Sequence, residues 1–134
     1  MHIHTKARVA VTALVDIAIH EDEGPVPLRA VGERTDISLS YLEQVFGLLR
    51  KGGLVKSTRG PGGGYRIAHS LAAITIADVI QVVEGIPHEG PVEPGATKSR
   101  LGADVWGVAA EHAMKHLATV TLANLVAAEG TQPV

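Results

Sequence analysis

Apolar residues recur along this chain with a period that shifts from helical to extended and back, and these shifts divide it into elements. Over residues 6–20, Val9, Ala13, Val15, Ile17 and Ile19 cover a wide face with Thr5 placed as a cap, so a buried helix is expected. Glu23-Gly24-Pro25 ends it, and Pro27 suits the start of a second helix over 28–35 with Val31 facing inward. Asp36-Ile37-Ser38 reads as a turn into a third helix, which starts at Ser38 or Ser40 and reaches about Gly52. Leu39, Leu42, Val45, Phe46 and Leu49 fall on one side of that helix and are expected in the core. The period then shortens. Residues 54–58 and 65–68 are short β-prone runs on either side of a Gly/Pro tip, the pattern of a hairpin.

Thr75 caps a fourth helix over 75–84, in which Ile76, Val79, Ile80 and Val83 keep helical spacing. Pro87, Pro91 and Pro94 bar a helix from 85–95, which is too long for a simple connector and reads as a functional or a disordered loop. A longer helix follows over 101–117, then a short one over 121–126 capped by Thr121. Three helices and a hairpin in this order describe a mainly α fold with a small β-hairpin, a winged helix-turn-helix. Leu101, Val105, Val108 and Ala109 give the long C-terminal helix an apolar stripe that a small winged domain cannot fully cover, which points to a homodimer contact. The expected organisation is a DNA-binding domain over 1–84, a loop over 85–100, and a dimerisation helix with a final helix over 101–134.

The third helix carries a second pattern. Ser40, Gln44, Gly47 and Lys51 lie at i, i+4, i+7 and i+11, on the face opposite the apolar one. An ordinary solvated face favours Glu/Lys pairs, whereas Gln and Ser can hydrogen-bond base edges and a glycine lets the helix lie close in a major groove. The hairpin tip, Arg59-Gly60-Pro61-Gly62-Gly63-Gly64-Tyr65, joins a cation to residues that permit close backbone approach, although the same residues also make a plain turn. Arg50, Lys51, Lys56, Arg59 and Arg66 fall in one span without an acidic residue, which favours a phosphate partner.

The overall charge of -2 over 134 residues would argue against a nucleic-acid ligand, but the average hides an asymmetry. Up to Arg66 there are nine Lys/Arg against seven Asp/Glu, and beyond it three against seven, so a DNA-facing half is set against an acidic half. The length suits one domain with an appendage. With no cysteine, disulfides, thiolate nucleophiles and thiolate-bound metal clusters are excluded in this sequence. The longest apolar stretch, 9–19, is broken by Thr12 and Asp16, is too short to span a bilayer and precedes no small-residue cleavage site; a soluble cytoplasmic protein without a membrane partner is expected.

With these residues in place, the chain resembles the IscR/NsrR family of bacterial winged-helix transcription regulators, which includes iron-sulfur and nitric-oxide sensors. The blocks that carry the resemblance are Val11-Thr12-Ala13-Leu14, Gly24-Pro25-Val26-Pro27, Ile37-Ser38-Leu39-Ser40-Tyr41-Leu42-Glu43-Gln44, Leu48-Leu49-Arg50-Lys51-Gly52-Gly53-Leu54-Val55 and Arg59-Gly60-Pro61-Gly62-Gly63-Gly64-Tyr65. It resumes weakly at Trp106 and over Val120-Thr121-Leu122-Ala123-Asn124-Leu125-Val126. The resemblance implies a homodimer on a pseudo-palindromic operator in double-stranded DNA, each third helix in a major groove, each wing in the flanking minor groove, and the long helix pairing the subunits. It implies DNA contacts from Ser38, Ser40, Tyr41, Glu43 and Gln44 on the recognition helix and from Arg59, Gly60 and Pro61 on the wing; Lys51 joins them from the polar stripe. Glu43 fits there only as an acceptor for a cytosine amino group, because a carboxylate near phosphate costs affinity. Tyr41 equally suits half-core packing.

The pattern breaks at the sensing loop. Sensing members hold a cluster on three cysteines before the long helix, with a fourth ligand that some draw from the first helix, where this chain offers Arg8 and Thr12. No iron-sulfur cluster bound in that way is expected, and no cofactor is assigned. The chain is either a naturally cluster-free member or one whose cysteines were replaced, with Ala96, Ser99 and Ala103 as small residues that could stand in their places. His112 and His116 at i, i+4, with His88, Glu89, Glu93 and Asp104 near the loop, have a spacing that permits joint metal ligation, but two histidines on an Ala-rich helix are more often solvent-facing or at a dimer edge, so no metal site is assigned, and His2 and His4 belong to the terminus.

The function expected is a DNA-binding regulator, a repressor because operator occlusion needs no further surface. The alternatives are a winged module that regulates through a partner protein, or a sensor of a small molecule or of a metal not bound by cysteine. An enzyme is not expected: no nucleophile-base pair or paired carboxylates in a pocket appear, and 60–64 lacks the Lys-Ser/Thr of a phosphate loop.

Overall fold

Helix α1 (Thr5–His20) confines Thr5, Arg8, Thr12, Asp16 and His20 to one polar arc at i, i+3 or i, i+4 spacing, and the side away from that arc is the one buried. That face is Ala7, Ala10, Ala13, Leu14 and Ile17, and its three alanines let neighbouring helices approach closely. The wider face read from sequence is corrected here. Val9 and Val15 are half-buried, and Ile19 is exposed because it lies about 180° around the helix from the mean direction of the buried set. Thr5 is the first helical residue rather than a cap. This computed structural model describes residues 5–85 and 100–131, with side chains from 105 to 129 in the second stretch.

Around α1 stand α2 (Leu28–Thr35), α3 (Leu39–Lys51), α4 (Ile76–Glu84) and α6 (Leu122–Thr131), while α5 (Arg100–Leu117) extends beyond them. Strands β1 (Val55–Thr58) and β2 (Gly64–Ile67) form one antiparallel hairpin in which Val55 faces Ile67, Lys56 faces Arg66, Ser57 faces Tyr65 and Thr58 faces Gly64. This is the mainly helical winged architecture expected from the sequence.

Local chemistry sets the helix boundaries. Ser38 caps α3 by accepting from the Tyr41 amide at 3.3 Å. Asp36, in a left-handed conformation (φ 61°), ends α2. At α4, Thr75 and Asp78 cap each other's amides at 3.1 and 2.9 Å. Thr121 and Asn124 repeat the exchange at α6, at 3.0 and 3.1 Å. The two helix starts are tied together, since the Ile76 amide donates to Val120 O and the Leu122 amide to Ile74 O at 2.9 and 3.0 Å. Leu122 is consequently fully buried in the same core as Phe46 and Leu14.

Two polar contacts hold the periphery to α1. Asp16 receives a forked pair of hydrogen bonds from Arg34, at 2.9 Å from Nε and 2.8 Å from Nη2, which joins the end of α1 to the end of α2. That bond holds the Arg34 guanidinium above its ordinary pKa. His20 Nδ1 lies 2.7 Å from Asp16 O, and because a carbonyl can only accept, the ring nitrogen is the donor. Just beyond α1, in the 3-10 turn Glu21–Glu23, Glu21 Oε1 accepts the Ile67 amide of β2 at 2.9 Å.

The Glu21 contact yields the first prediction. Glu21→Ala leaves a half-buried strand amide without its acceptor and is expected to destabilise the protein by about 1–2 kcal/mol. Glu21→Gln, which keeps an acceptor oxygen, restores most of the loss in urea denaturation. Equal stability of all three proteins would show that the contact contributes nothing.

Candidate nucleic-acid interface

Helix α3 is divided lengthwise. Leu42, Val45, Phe46 and Leu49 are fully buried, whereas Ser40, Glu43, Gln44, Arg50 and Lys51 are exposed and Gly47 is half-buried. The stripe of Ser40, Gln44, Gly47 and Lys51 therefore forms a continuous outer face, about 150–170° from the mean core direction. A Cβ at Gly47 would meet nothing within 4 Å, so no contact inside the protein demands a glycine there. Leu39 corrects the core expected from sequence. It is 40% exposed, because it sits in the first turn about 70° from that core direction, at the end of the helix where neighbouring elements cover least.

Gln44 and Gly47 line an open groove of about 560 Å³ together with Glu43, Leu48, Arg50, Lys51 and Lys6. Three cations and one carboxylate border it, so its rim is net positive. Sequence reasoning did not place Lys6 or Arg50 on this face. Arg50 was visible as part of the basic span, but Lys6 comes from the start of α1 and reaches α3 only through the tertiary fold. Ser38 is committed to its cap through Oγ, which leaves its hydroxyl proton free to donate outward. Tyr41 is half-buried and packs on the core.

The hairpin is packed against the same helix through its first strand. Gly60-Pro61-Gly62-Gly63 closes as a turn with the Gly63 amide donating to Gly60 O at 2.9 Å and Gly62 at φ 77°, the type II arrangement with proline leading. Arg59, Gly60 and Pro61 are exposed at the tip. At the base, Tyr65 exchanges both backbone hydrogen bonds with Val26 at 2.9 Å, and its ring lies 5.0 Å from that of Phe46 at a tilt of 55°. Gly64 is obligatory there, since a Cβ would come within 2.4 Å of the Val26 carbonyl oxygen. Lys56 and Arg66 are cross-strand partners, both exposed, and like charges directly opposite destabilise a hairpin until an anion lies across them.

Elsewhere, α5 exposes Val105 (63%), Trp106 (62%) and Val108 (52%). His112 and His116 are exposed on the same helix, and His88, Glu89, Glu93 and the side chain of Asp104 lie outside the described residues, as do Ala96, Ser99, His2 and His4. Among the described residues no three His, Asp or Glu side chains gather closely enough to share a metal ion. No helix among them is long and apolar enough to cross a membrane.

Comparison with known proteins places this geometry. The profile of Rrf2, described as iron-dependent transcriptional regulators, matches residues 3–128. The HTH-type transcriptional regulator IscR of Xenorhabdus nematophila is 55% identical over 84 residues, a match that covers 63% of this chain and only 51% of that protein. IscR of Yersinia pseudotuberculosis is 42% identical over 130 residues, 94% of this chain and 79% of that protein. Among solved structures, T. potens IscR superposes with a TM-score of 0.77 at 34% identity, covering 100% of this chain and 93% of its own. CymR, the global cysteine regulator of B. subtilis, gives 0.77 at 33% identity, covering 95% and 97%. With the profile spanning almost the whole sequence and solved relatives sharing the fold end to end, the chain belongs to the Rrf2 family of transcriptional regulators.

Proposed function

We propose that the chain is a sequence-specific DNA-binding transcriptional regulator, without enzymatic activity, acting in the cytoplasm as a homodimeric repressor on a pseudo-palindromic operator. The observation that carries this reading is the outer face of α3, where Ser40, Gln44, Gly47 and Lys51 form a polar and cationic surface that the protein's own packing does not need. Gln44 suits bidentate pairing with adenine, and Ser40 suits several base edges. Glu43 accepts from a cytosine amino group and disfavours the other bases. Lys6, Arg50 and Lys51 around the groove neutralise phosphates of the same major groove.

The wing supplies the second contact. Arg59, Gly60 and Pro61 at its tip fit a narrow minor groove, whose negative potential attracts arginine. The Lys56–Arg66 pair is relieved when a phosphate lies across it. Ser38 adds a hydroxyl donor from the cap, and Tyr41 a phenol from its half-buried position. Residues 1–84 thus carry the DNA-reading surface and residues 101–134 the pairing surface.

Iron enters the family's description but does not fit a thiolate site in this chain. No cysteine occurs in the sequence, and Arg8 and Thr12, the α1 positions where some members hold the extra ligand, are exposed and unsuited to a cationic centre. Release from DNA therefore does not run through a cysteine-bound cluster. It depends on another effector or partner, or the protein is constitutive.

Three measurements test the proposal. Arg59→Ala is expected to weaken operator binding without relaxing preference at any base pair that α3 reads, whereas Gln44→Ala costs about 1–3 kcal/mol and relaxes preference at one base pair per half-site in gel shifts. Unchanged shifts for both variants would sink the DNA-reading assignment. Gly47→Ala is expected to raise stability by about 0.5–1 kcal/mol, since helix interiors favour alanine and the space is open, yet to lower operator affinity by holding α3 off the bases. A variant with higher stability and wild-type affinity would show that α3 does not press against DNA. For the dimer, Val108→Glu places a charge in the exposed stripe of α5 and is expected to convert a sedimenting dimer to a monomer, with the emission of Trp106, the only tryptophan, shifting to the red. Sedimentation of the wild-type chain as a monomer would remove α5 from that role.

A further inference from the structure

Leu39 is a large apolar side chain left 40% exposed at the first position of α3, outside the core cluster, on the flank it shares with Glu43 and beside the exposed Ser38 and Ser40 of the same first turn. The Ser38 cap, accepting from Tyr41 at 3.3 Å, holds the helix start in place and fixes where Leu39 leaves the backbone. A protein-docking surface would ordinarily gather a contiguous apolar patch of several hundred Å². The other exposed large hydrophobics among the described residues, Ile19, Val105, Trp106 and Val108, belong to α1 and α5, so Leu39 is isolated on its helix.

An isolated apolar group in the first turn of a recognition helix has one apolar complement on a base edge, the C5-methyl of thymine. We infer that Leu39 is a specificity-determining residue that selects thymine in each half-site through this methyl group. The inference rests on the reading that α3 enters a major groove. Leu39 and Glu43 are i and i+4 on one flank of α3, so their side chains address neighbouring positions. The thymine chosen by Leu39 therefore adjoins the cytosine that donates to Glu43. Exposure of Leu39 in the free protein is then explained by what covers it in the complex.

The test is made largely on the DNA. Sequences are selected from a randomised duplex with the full chain, and each thymine of the recovered site is replaced in turn by deoxyuridine, which lacks only the methyl. One thymine per half-site, beside a cytosine whose replacement weakens the wild-type protein but not Glu43→Ala, is expected to cost the wild-type protein about fourfold in affinity on losing its methyl, the value of burying one such group. Leu39→Ala is expected to bind the thymine and deoxyuridine duplexes equally, while Leu39→Met retains a preference. If no replacement distinguishes wild-type from Leu39→Ala, the inference is overturned while the DNA-reading assignment stands on the Gln44 result. If selection recovers no sequence, both fall.

Discussion

The relation between helix α3 and the wing depends on one residue, Tyr65. Its backbone is joined to Val26 by two hydrogen bonds, and its ring packs against Phe46 on the buried side of α3. The strand that carries the wing is thereby fixed at once to the segment before α2 and to the core of α3. Gly64 makes the approach possible, because any side chain there would collide with the Val26 backbone. Glu21 adds a third attachment by accepting the amide of Ile67. The hairpin is only four residues a strand and would be marginal alone, yet its base is held at three points while its tip projects. A protein that must present two contacts at a set separation needs this division between a fixed base and a free tip.

Charge follows the same geometry rather than the sum over the chain. A formal charge of -2 would predict weak attraction to DNA, but Lys6, Arg50 and Lys51 border the groove beside α3, and Lys56, Arg59 and Arg66 lie on the hairpin. At physiological ionic strength, exposed charges farther apart than about 8 Å are largely screened, so local cations dominate over distant acidic residues. Arg34 stands apart from this set. It is occupied by Asp16 and serves the joint between α1 and α2.

Most of the fold was legible in the sequence because strong local signals agreed with the tertiary outcome. Pro27 before α2, the Thr75 cap of α4, the Thr121 cap of α6 and the Gly/Pro tip all act through neighbours in sequence, and each element starts close to its expected place, although α6 runs on to Thr131 rather than ending near 126. What failed were statements about faces. In α1 the apolar residues taken together span a wide face, but Ile19 falls within the polar arc of Arg8, Thr12 and Asp16, and it is the side away from that arc, with its alanines, that is buried. Leu39 shares helical spacing with the core but lies at an end where nothing covers it. The same limit applies to the candidate interface. The α3 stripe and the wing tip were readable as local patterns, whereas the arrival of Lys6 from α1 depends on a contact between segments far apart in sequence.

Helix α1 also determines how an event at one end of the molecule reaches the other. It packs against α2, α3, α4, α6 and β2, and the buried core runs without a break from Ala7 to Leu122. A close-packed core of this kind moves as a unit rather than bending by degrees. Small shifts within it therefore cannot re-aim α3 independently of the wing, which Tyr65 and Glu21 hold to the same body. Outside this core, α5 leaves Val105, Trp106 and Val108 exposed. In the proposed dimer paired through that helix, the separation of the two α3 helices would have to match one turn of DNA, about 34–36 Å. In that proposed dimer a change of pairing angle would alter half-site spacing while each α3 helix and its wing stayed fixed to their own core.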